Sequence, residues 1–391
     1  MIPYGKQDIT QQDIDAVIGV LRSDFLTQGP QIPAFEKAIT SEVKAKYALA
    51  VNSATSALHI ACKALGVKAG DLVWTTPITF VASANCALYC GADIDFVDID
   101  KETYNLCPNK LEEKLEHCVT NELPLPKVVI PVHLCGQSCD MEKIKSLAVE
   151  YGFFIIEDGS HAIGGKYQGE PVGNCKYSDI CVFSFHPVKI ITTAEGGAAT
   201  TNDQGLARKM ELLRSHGVTR NPELMTEPSH GAWYYQQVDL GFNYRMTELQ
   251  AALGVSQMSR LSSFIDKRSQ LADRYDELLR DLPLIIPQQL ESTNSARHLY
   301  VVRLKLDEIT LTYQEVFDKL RENGVGVNLH YIPVHTQPYY RQLGFKRGQF
   351  PESEEYYQNA ISIPLYHGMS LAQQDRVVRL LSQVLEGKKC K

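Results

Sequence analysis

Three short stretches of this chain hold side chains whose types and spacing can do chemistry. The first is Phe183-Ser-Phe-His-Pro-Val-Lys189, followed by Ile190-Ile-Thr-Thr-Ala-Glu-Gly-Gly197. Its apolar start reads as a buried strand that Pro187 stops, since proline cannot donate to a ladder. Gly197-Ala-Ala-Thr-Thr201 reads as the next strand, so Lys189 falls in the loop between the two. Beside Val188, Ile190 and Ile191, a charged amine is costly, and desolvation pulls its pKa below the usual value of about 10.4. A neutral lysine amine is a nucleophile towards a carbonyl and forms a Schiff base. A lysine at a loop tip is more often simply solvated, and taken alone Lys189 would be read so.

The second stretch is Phe153-Phe-Ile-Ile-Glu-Asp-Gly-Ser-His-Ala162. Asp158 closes an apolar strand at its C-terminal end, where open α/β sheets bind ligands. Its ordinary use would be to cap the turn at Gly159-Ser160. The third stretch is Ala48-Leu-Ala-Val-Asn-Ser-Ala-Thr-Ser-Ala-Leu58. A strand ends at Val51 and a helix runs to about Gly66, with Leu58, Cys62 and Leu65 on its apolar face. Its first N–H groups, its dipole and the hydroxyls of Ser53, Thr55 and Ser56 form a seat for phosphate, although each residue alone is an ordinary cap. An amine, a carboxylate and a phosphate seat are what pyridoxal 5'-phosphate (PLP) requires. The carboxylate would pair with the protonated ring nitrogen and make the ring a better electron sink.

Between residues 48 and 201, apolar runs at 72–75, 94–97, 127–132, 153–156 and 180–183 alternate with helical stretches. This predicts βαβ units and a mostly parallel sheet. Residues 9–21 read as a helix with Ile14, Val17, Ile18 and Leu21 on one face, and 33–43 as a shorter one. A helix capped by Thr247 is expected to run to about Leu279. Composition shifts near 260–266. Beyond it come a helix, a strand at 299–304, a helix at 313–323, the segment 325–328 and a helix at 372–385, which suit a smaller α+β domain.

The 391 residues, 44% hydrophobic and 22% charged, are enough for two domains of a globular protein. A net charge of −7 argues against a nucleic-acid partner. No apolar run approaches the ~18 residues that span a membrane. Met1-Ile-Pro-Tyr-Gly-Lys-Gln-Asp8 has no apolar signal core, so a cytoplasmic enzyme is expected. The ten cysteines show no Cys-x-x-Cys and no metal pattern, and no metal is expected. Cys62, Cys86 and Cys181 read as small core residues, Cys390 belongs to the tail, and so many unpaired thiols fit a reducing compartment.

Asn52-Ser-Ala-Thr-Ser-Ala57, Glu157-Asp-Gly-Ser-His-Ala162, Ser184-Phe-His-Pro-Val-Lys189 with Glu195-Gly-Gly197, and Gly241-Phe-Asn-Tyr-Arg-Met-Thr-Glu-Leu-Gln250 occur in a telling order and spacing. Together they resemble the DegT/DnrJ/EryC1/StrS sugar aminotransferases, over nearly the whole chain. The resemblance implies the aspartate-aminotransferase fold (PLP fold type I): a large PLP-binding α/β domain over residues 1–258, with a mostly parallel central sheet, and a small α+β domain over 259–391. It implies that Lys189 carries the cofactor as a Schiff base and moves the proton, and that Asp158 holds the ring nitrogen. Thr55, Ser56 and Ser184 would bind the phosphate, Phe80 would stack on the ring, and His161 would reach the ring substituents. Asn243 would reach the phosphate of a neighbouring subunit's cofactor, which implies a homodimer with shared sites. Tyr4, Thr27, Gln28, Arg245, His330 and Tyr331 are the implied substrate contacts. For the amino donor's carboxylate Arg245 and Arg220 are candidates, with Arg214 behind them, and each has an ordinary structural alternative.

Lysine at 189 implies transamination, because relatives that dehydrate sugars carry histidine there. Ala194 departs from the glycine common at that place. Leu26-Thr-Gln-Gly29, the Lys189 loop and His330-Tyr-Ile-Pro-Val-His335 are most similar to the pseudaminic-acid branch of the family. That branch implies transfer from glutamate to carbon 4 of a UDP-linked 4-keto-6-deoxy-N-acetylhexosamine, by ping-pong kinetics. A dTDP-linked 3-keto sugar or a GDP-linked 4-keto sugar remains an alternative acceptor. A PLP-fold regulator without turnover would carry a basic DNA-binding segment, and none is visible.

Overall fold

The computed structural model describes residues 1–386, and Cys390 lies outside them. Seven strands form the main sheet: β1 (Tyr47–Val51), β2 (Leu72–Thr75), β3 (Asp93–Phe96), β4 (Val128–Ile130), β5 (Phe154–Asp158), β6 (Ile180–Ser184) and β7 (Gly197–Thr201). Their spatial order is β1-β7-β6-β5-β4-β2-β3. β6, β5, β4, β2 and β3 pair in parallel, and β7 is antiparallel to both β6 and β1. The mostly parallel sheet is as expected.

Parallel strands must be covered on both faces, so they read as continuous apolar runs. Val128, Val129 and Ile130 are fully buried, as are Ile180 to Phe183. Alternate residues feed opposite cores. Val128, Ile156 and Val182 pack with Leu58, Ile60 and Cys62 of helix α3 (Ala54–Ala64) and with Ala84 and Ala87 of α4 (Ala82–Tyr89). Val129 and Ile155 pack against α5 (Pro108–Thr120) and α6 (Met141–Tyr151), and Phe183 packs against Phe35 and Ile39 of α2 (Gln31–Val43). Strand ends and helix starts thereby meet along one edge of the sheet, where such folds bind ligands.

Helix α1 (Gln11–Leu21) forms, but its inward side is Asp13 and Val20. The apolar face read from the sequence is left largely open: Ile14 is 43% exposed and Leu21 58%. After helix α7 (Gln204–Arg214), the single helix expected from Thr247 is two, α8 (Glu248–Met258) and α9 (Leu261–Leu278). Arg260 leaves helical geometry between them, at φ −111° and ψ 4°. Its guanidinium bonds Asp8 and Asp13, each at 2.6 Å, clasping the N-terminal arm. Thr247 caps α8 as expected, in a reciprocal box with Gln250.

A second sheet holds β8 (Leu284–Ile285), β9 (Tyr300–Leu304) and β10 (Ala360–Ile363), packed against α10 (Tyr313–Glu322) and α11 (Leu371–Leu385). Residues 325–328 form only single bridges, Val325 to Ile2 and Asn328 to Ser362, rather than a strand. Before β9 the chain returns to the first body, where Thr293–Asn294 pairs with Lys166–Tyr167. This return brings residues 295–298 against Gly136.

Candidate active site

A cavity of about 620 Å³ lies at the ends of β5 and β6 and the start of α3. Lys189, Asp158, Thr55, Ser184, Phe80, His161, Tyr4, His330 and Tyr331 all line it. Nine of the expected residues, from segments scattered over more than three hundred positions, thus meet in one place.

Lys189 is half-buried on the cavity wall. Loss of hydration pulls its pKa down to about 8, and the charge of Asp158 only partly opposes the shift. Near neutral pH the amine is therefore uncharged far more often than that of a solvated lysine. Asp158, at the end of β5, is held on two sides. Ser83 donates to Oδ2 at 2.6 Å and the Ser160 N–H donates to Oδ1 at 3.0 Å. Ser83 has only one proton to give, so Thr79, 2.7 Å away, must donate to it. Such charge-assisted bonds contribute about 1.5–3 kcal/mol each and fix the carboxylate's direction. Sequence reading missed Ser83 and Thr79. Their signal is weak: Ser83 is in the first turn of α4 and Thr79 lies in the loop before it, four positions earlier.

Of the hydroxyls expected to seat a phosphate, those of Thr55 and Ser184 are on the cavity wall. Ser53 caps α3 by accepting from the Ser56 N–H at 3.1 Å. The first N–H groups of the helix remain open towards the cavity. The hydroxyls of Thr55 and Ser184 line the cavity and make no hydrogen bond among the described residues. Ser56 differs: its hydroxyl is spent on Asn52 Oδ1 at 2.6 Å and is not on the cavity wall. Gly197 lets β7 approach this helix start, since a Cβ there would lie 2.5 Å from the Ala54 nitrogen. The chemistry of the lining suits PLP: hydroxyls and a helix start for a phosphate, the Asp158 carboxylate for a ring nitrogen, and the Lys189 amine for an aldehyde.

Phe80 is 59% exposed although it lies in a well-packed body, so it is a wall of the cavity rather than core. His161 is occupied within the chain: Nδ1 accepts from the Cys135 N–H at 3.3 Å and Nε2 meets the Tyr331 hydroxyl at 3.1 Å. Burial and the nearby Lys189 amine hold its pKa well below the usual histidine value. His330 bonds Ser362 at 2.8 Å, stacks obliquely on Tyr4 at 5.2 Å, and is pushed down to about 3 by burial and by Lys189. These imidazoles are neutral at physiological pH. His298, Asn328 and Glu195 also line the cavity, and sequence reading did not single them out.

The remaining expected residues stand elsewhere. Thr27, Gln28, Arg220 and Asn243 are exposed and outside this cavity. Arg245 is bridged through its backbone to Val51. Arg214 is tied to Glu36 and to the Ala50 carbonyl, which makes it a structural residue. The two outlying motifs are joined to each other. Glu248 accepts from the N–H groups of Gln31 and Ile32, at 2.6 and 3.2 Å, and its own N–H bonds the Leu26 carbonyl. Among the described residues no cluster of ligating side chains could hold a metal, and no helix is long and apolar enough to cross a membrane.

The DegT/DnrJ/EryC1/StrS aminotransferase family matches residues 7–382. The UDP-4-amino-4,6-dideoxy-N-acetyl-beta-L-altrosamine transaminase of Campylobacter jejuni is 36% identical over 387 residues, covering 99% of this chain and 98% of that one. The Helicobacter pylori aminotransferase PseC, involved in the biosynthesis of pseudoaminic acid, superposes with a TM-score of 0.89 at 31% identity, covering 99% of both chains. Spr1654 of Streptococcus pneumoniae, solved in a PLP form, superposes with a TM-score of 0.87 at 28% identity, again covering 99% of both chains. With the lysine, the carboxylate and the phosphate seat in one cavity, the chain belongs to the DegT/DnrJ/EryC1/StrS aminotransferase family, as a PLP-dependent sugar aminotransferase.

Proposed function

We propose that the chain transfers an amino group from L-glutamate to carbon 4 of a UDP-linked 4-keto-6-deoxy-N-acetylhexosamine, as in pseudaminic acid biosynthesis. The observation that carries the reading is the shared cavity of Lys189 and Asp158, lined also by the aromatic rings of Phe80, Tyr4, His330 and Tyr331. The substrate named for the Campylobacter jejuni relative supports the choice of sugar. Bound PLP supplies the electron sink that makes the donor's α-carbon acidic. Lys189, once free, takes the proton from that carbon and returns it on the other side of the exchange, and an amine with a pKa near 8 suits both tasks. Asp158, steered by Ser83 and Thr79, keeps a proton on the ring nitrogen. Thr55, Ser184 and the start of α3 would hold the phosphate, and Phe80 would cover the ring and exclude water. The aromatic wall offers flat, hydrogen-bonding surfaces to sugar and base. Because donor and acceptor use one cavity in turn, the kinetics are ping-pong.

Thr27, Gln28 and Asn243 act on the cavity of a second copy in a two-fold dimer. The joined outer loops support this, as do exposed Phe25, Leu26, Trp233 and Leu240 beside them in sequence. The buried free thiols fit a cytoplasmic enzyme. The test is a panel of UDP-, dTDP- and GDP-linked 3-keto and 4-keto sugars, incubated with holoenzyme and 15N-glutamate. Label is expected at carbon 4 of the UDP-linked hexosamine. Label only in a dTDP- or GDP-linked product would overturn the substrate assignment.

A further inference from the structure

The cavity must accept an amino acid and a sugar in turn, yet Lys189 is the only lysine or arginine among the described residues that line it. The arginines suggested by sequence are outside it, so the donor's α-carboxylate needs another partner. Four histidines line the cavity: His186 is half-exposed and faces Glu195 at 3.9 Å, and of the three buried ones two are spent. His161 is used by Cys135 and Tyr331, and His330 by Ser362 and Asn328. His298 is 3% exposed, and its ring makes no hydrogen bond among the described residues. Its Nδ1 is buried without a partner, and Nε2 is the ring's open edge.

The ring is nonetheless well placed. The His298 N–H bonds the Cys135 carbonyl at 2.8 Å, and buried Arg268 donates to the His298 carbonyl at 3.0 Å. Its ring centroid lies 4.5 Å from that of His161. An orphaned buried N–H is rarer than an under-satisfied acceptor. The proton therefore sits on Nε2, which makes the open edge a donor. Burial, together with His161 and Lys189 nearby, holds the ring uncharged.

We propose that His298 binds the amino donor, giving a hydrogen bond from Nε2 to the donor's α-carboxylate. A neutral donor suits a cavity used by two unlike substrates. It holds a carboxylate oxygen in the first half-reaction and water in the second. A buried guanidinium would lack a counter-charge whenever the sugar is bound, which costs far more than an idle imidazole. The inference rests on amino transfer from an amino acid and not on which sugar receives it.

The experiment compares His298→Leu, which fills the space without a donor, with His298→Gln, which keeps an N–H. Glutamate is titrated into each holoenzyme while the cofactor absorbance is followed, and both KM values are measured. For His298→Leu the donor KM is expected to rise roughly tenfold, and for His298→Gln to stay within about threefold. The acceptor KM and the starting spectrum stay as in the wild type. An unchanged donor KM in His298→Leu, or a parallel rise in both KM values, overturns the proposal. A wild-type enzyme that glutamate does not convert would instead refute the donor reading above. Should His298→Leu fail to fold, the wild-type protein decides. Glutarate, a dicarboxylate without an amine, is titrated while the 15N signal of the His298 Nε2 is recorded. A saturable shift supports the assignment, and a signal that does not move contradicts it.

Discussion

The inner wall of the cavity and the outer loops are built on opposite principles. At the inner wall Asp158 is held by Ser83 and Ser160, Ser83 by Thr79, and Gly197 admits the strand against the helix start. All of these partners come from one chain and are set before any ligand arrives. The outer loops carry Thr27, Gln28 and Asn243 on exposed backbone, with Trp233 and Leu240 each 74% exposed. Their internal bonds fix where they are but leave their functional groups facing nothing. A site can be preorganised where strand ends converge, and left open where a second copy would complete it.

Replacing Lys189 with Ala attacks the inner wall hardest. Turnover is expected to fall more than ~1,000-fold and the visible absorbance of the holoenzyme to vanish. A retained spectrum with full turnover would remove Lys189 from the chemistry. Asp158→Asn keeps the shape and loses the charge, and kcat is expected to drop by about a hundredfold or more. Ser83→Ala acts only through Asp158. Its loss is about tenfold or less, and it should move the pH profile of kcat, which a purely structural change would leave in place.

The outer loops are tested by mixing. Lys189→Ala and Asn243→Ala subunits are each inactive or weak alone. If sites are shared, exchanged subunits regain about a quarter of wild-type activity, because half the dimers are hybrid and each has one intact site. No recovery after verified exchange would place Asn243 outside the partner's cavity.

The charge state of Lys189 gives a smaller effect with a definite sign. Its folded pKa is lowered, so its neutral fraction grows as pH rises through about 8. Capture of PLP by the cofactor-free protein is expected to quicken with pH up to about 8 and then level off, whereas a solvated lysine would keep gaining to about 10.4. The unfolded chain binds this proton more tightly, so the cofactor-free fold gains stability from pH 8 towards 10.4.

The smallest effect is at Ala194, whose φ is +67°. An alanine there bears the left-handed strain that glycine escapes, partly offset by glycine's greater unfolded-state entropy. Ala194→Gly is expected to stabilise by ~0.5–1 kcal/mol, read from a denaturant midpoint. A loss of stability would contradict this backbone account.

The parts legible in the sequence share a physical cause. Lys189, Asp158, Ser184 and Thr55 lie at the ends of short apolar strands or the first turn of a helix, where pattern and position coincide. Ser83 and Thr79 look like any helix-start hydroxyls until β5 is packed beside them. His298 is invisible because its value lies in what it fails to bond. The break between α8 and α9 is caused by Asp8 and Asp13, about 250 positions away, so no local pattern announces it. Periodicity did find the apolar face of α1, but it cannot tell a face that meets its own chain from one left open.

The most direct test is to reduce the holoenzyme with borohydride and map the cofactor by peptide mass spectrometry. The fixed cofactor is expected on the peptide carrying Lys189 alone. Cofactor fixed on a different lysine, or recovered entirely free from a protein that still turns over, would contradict it.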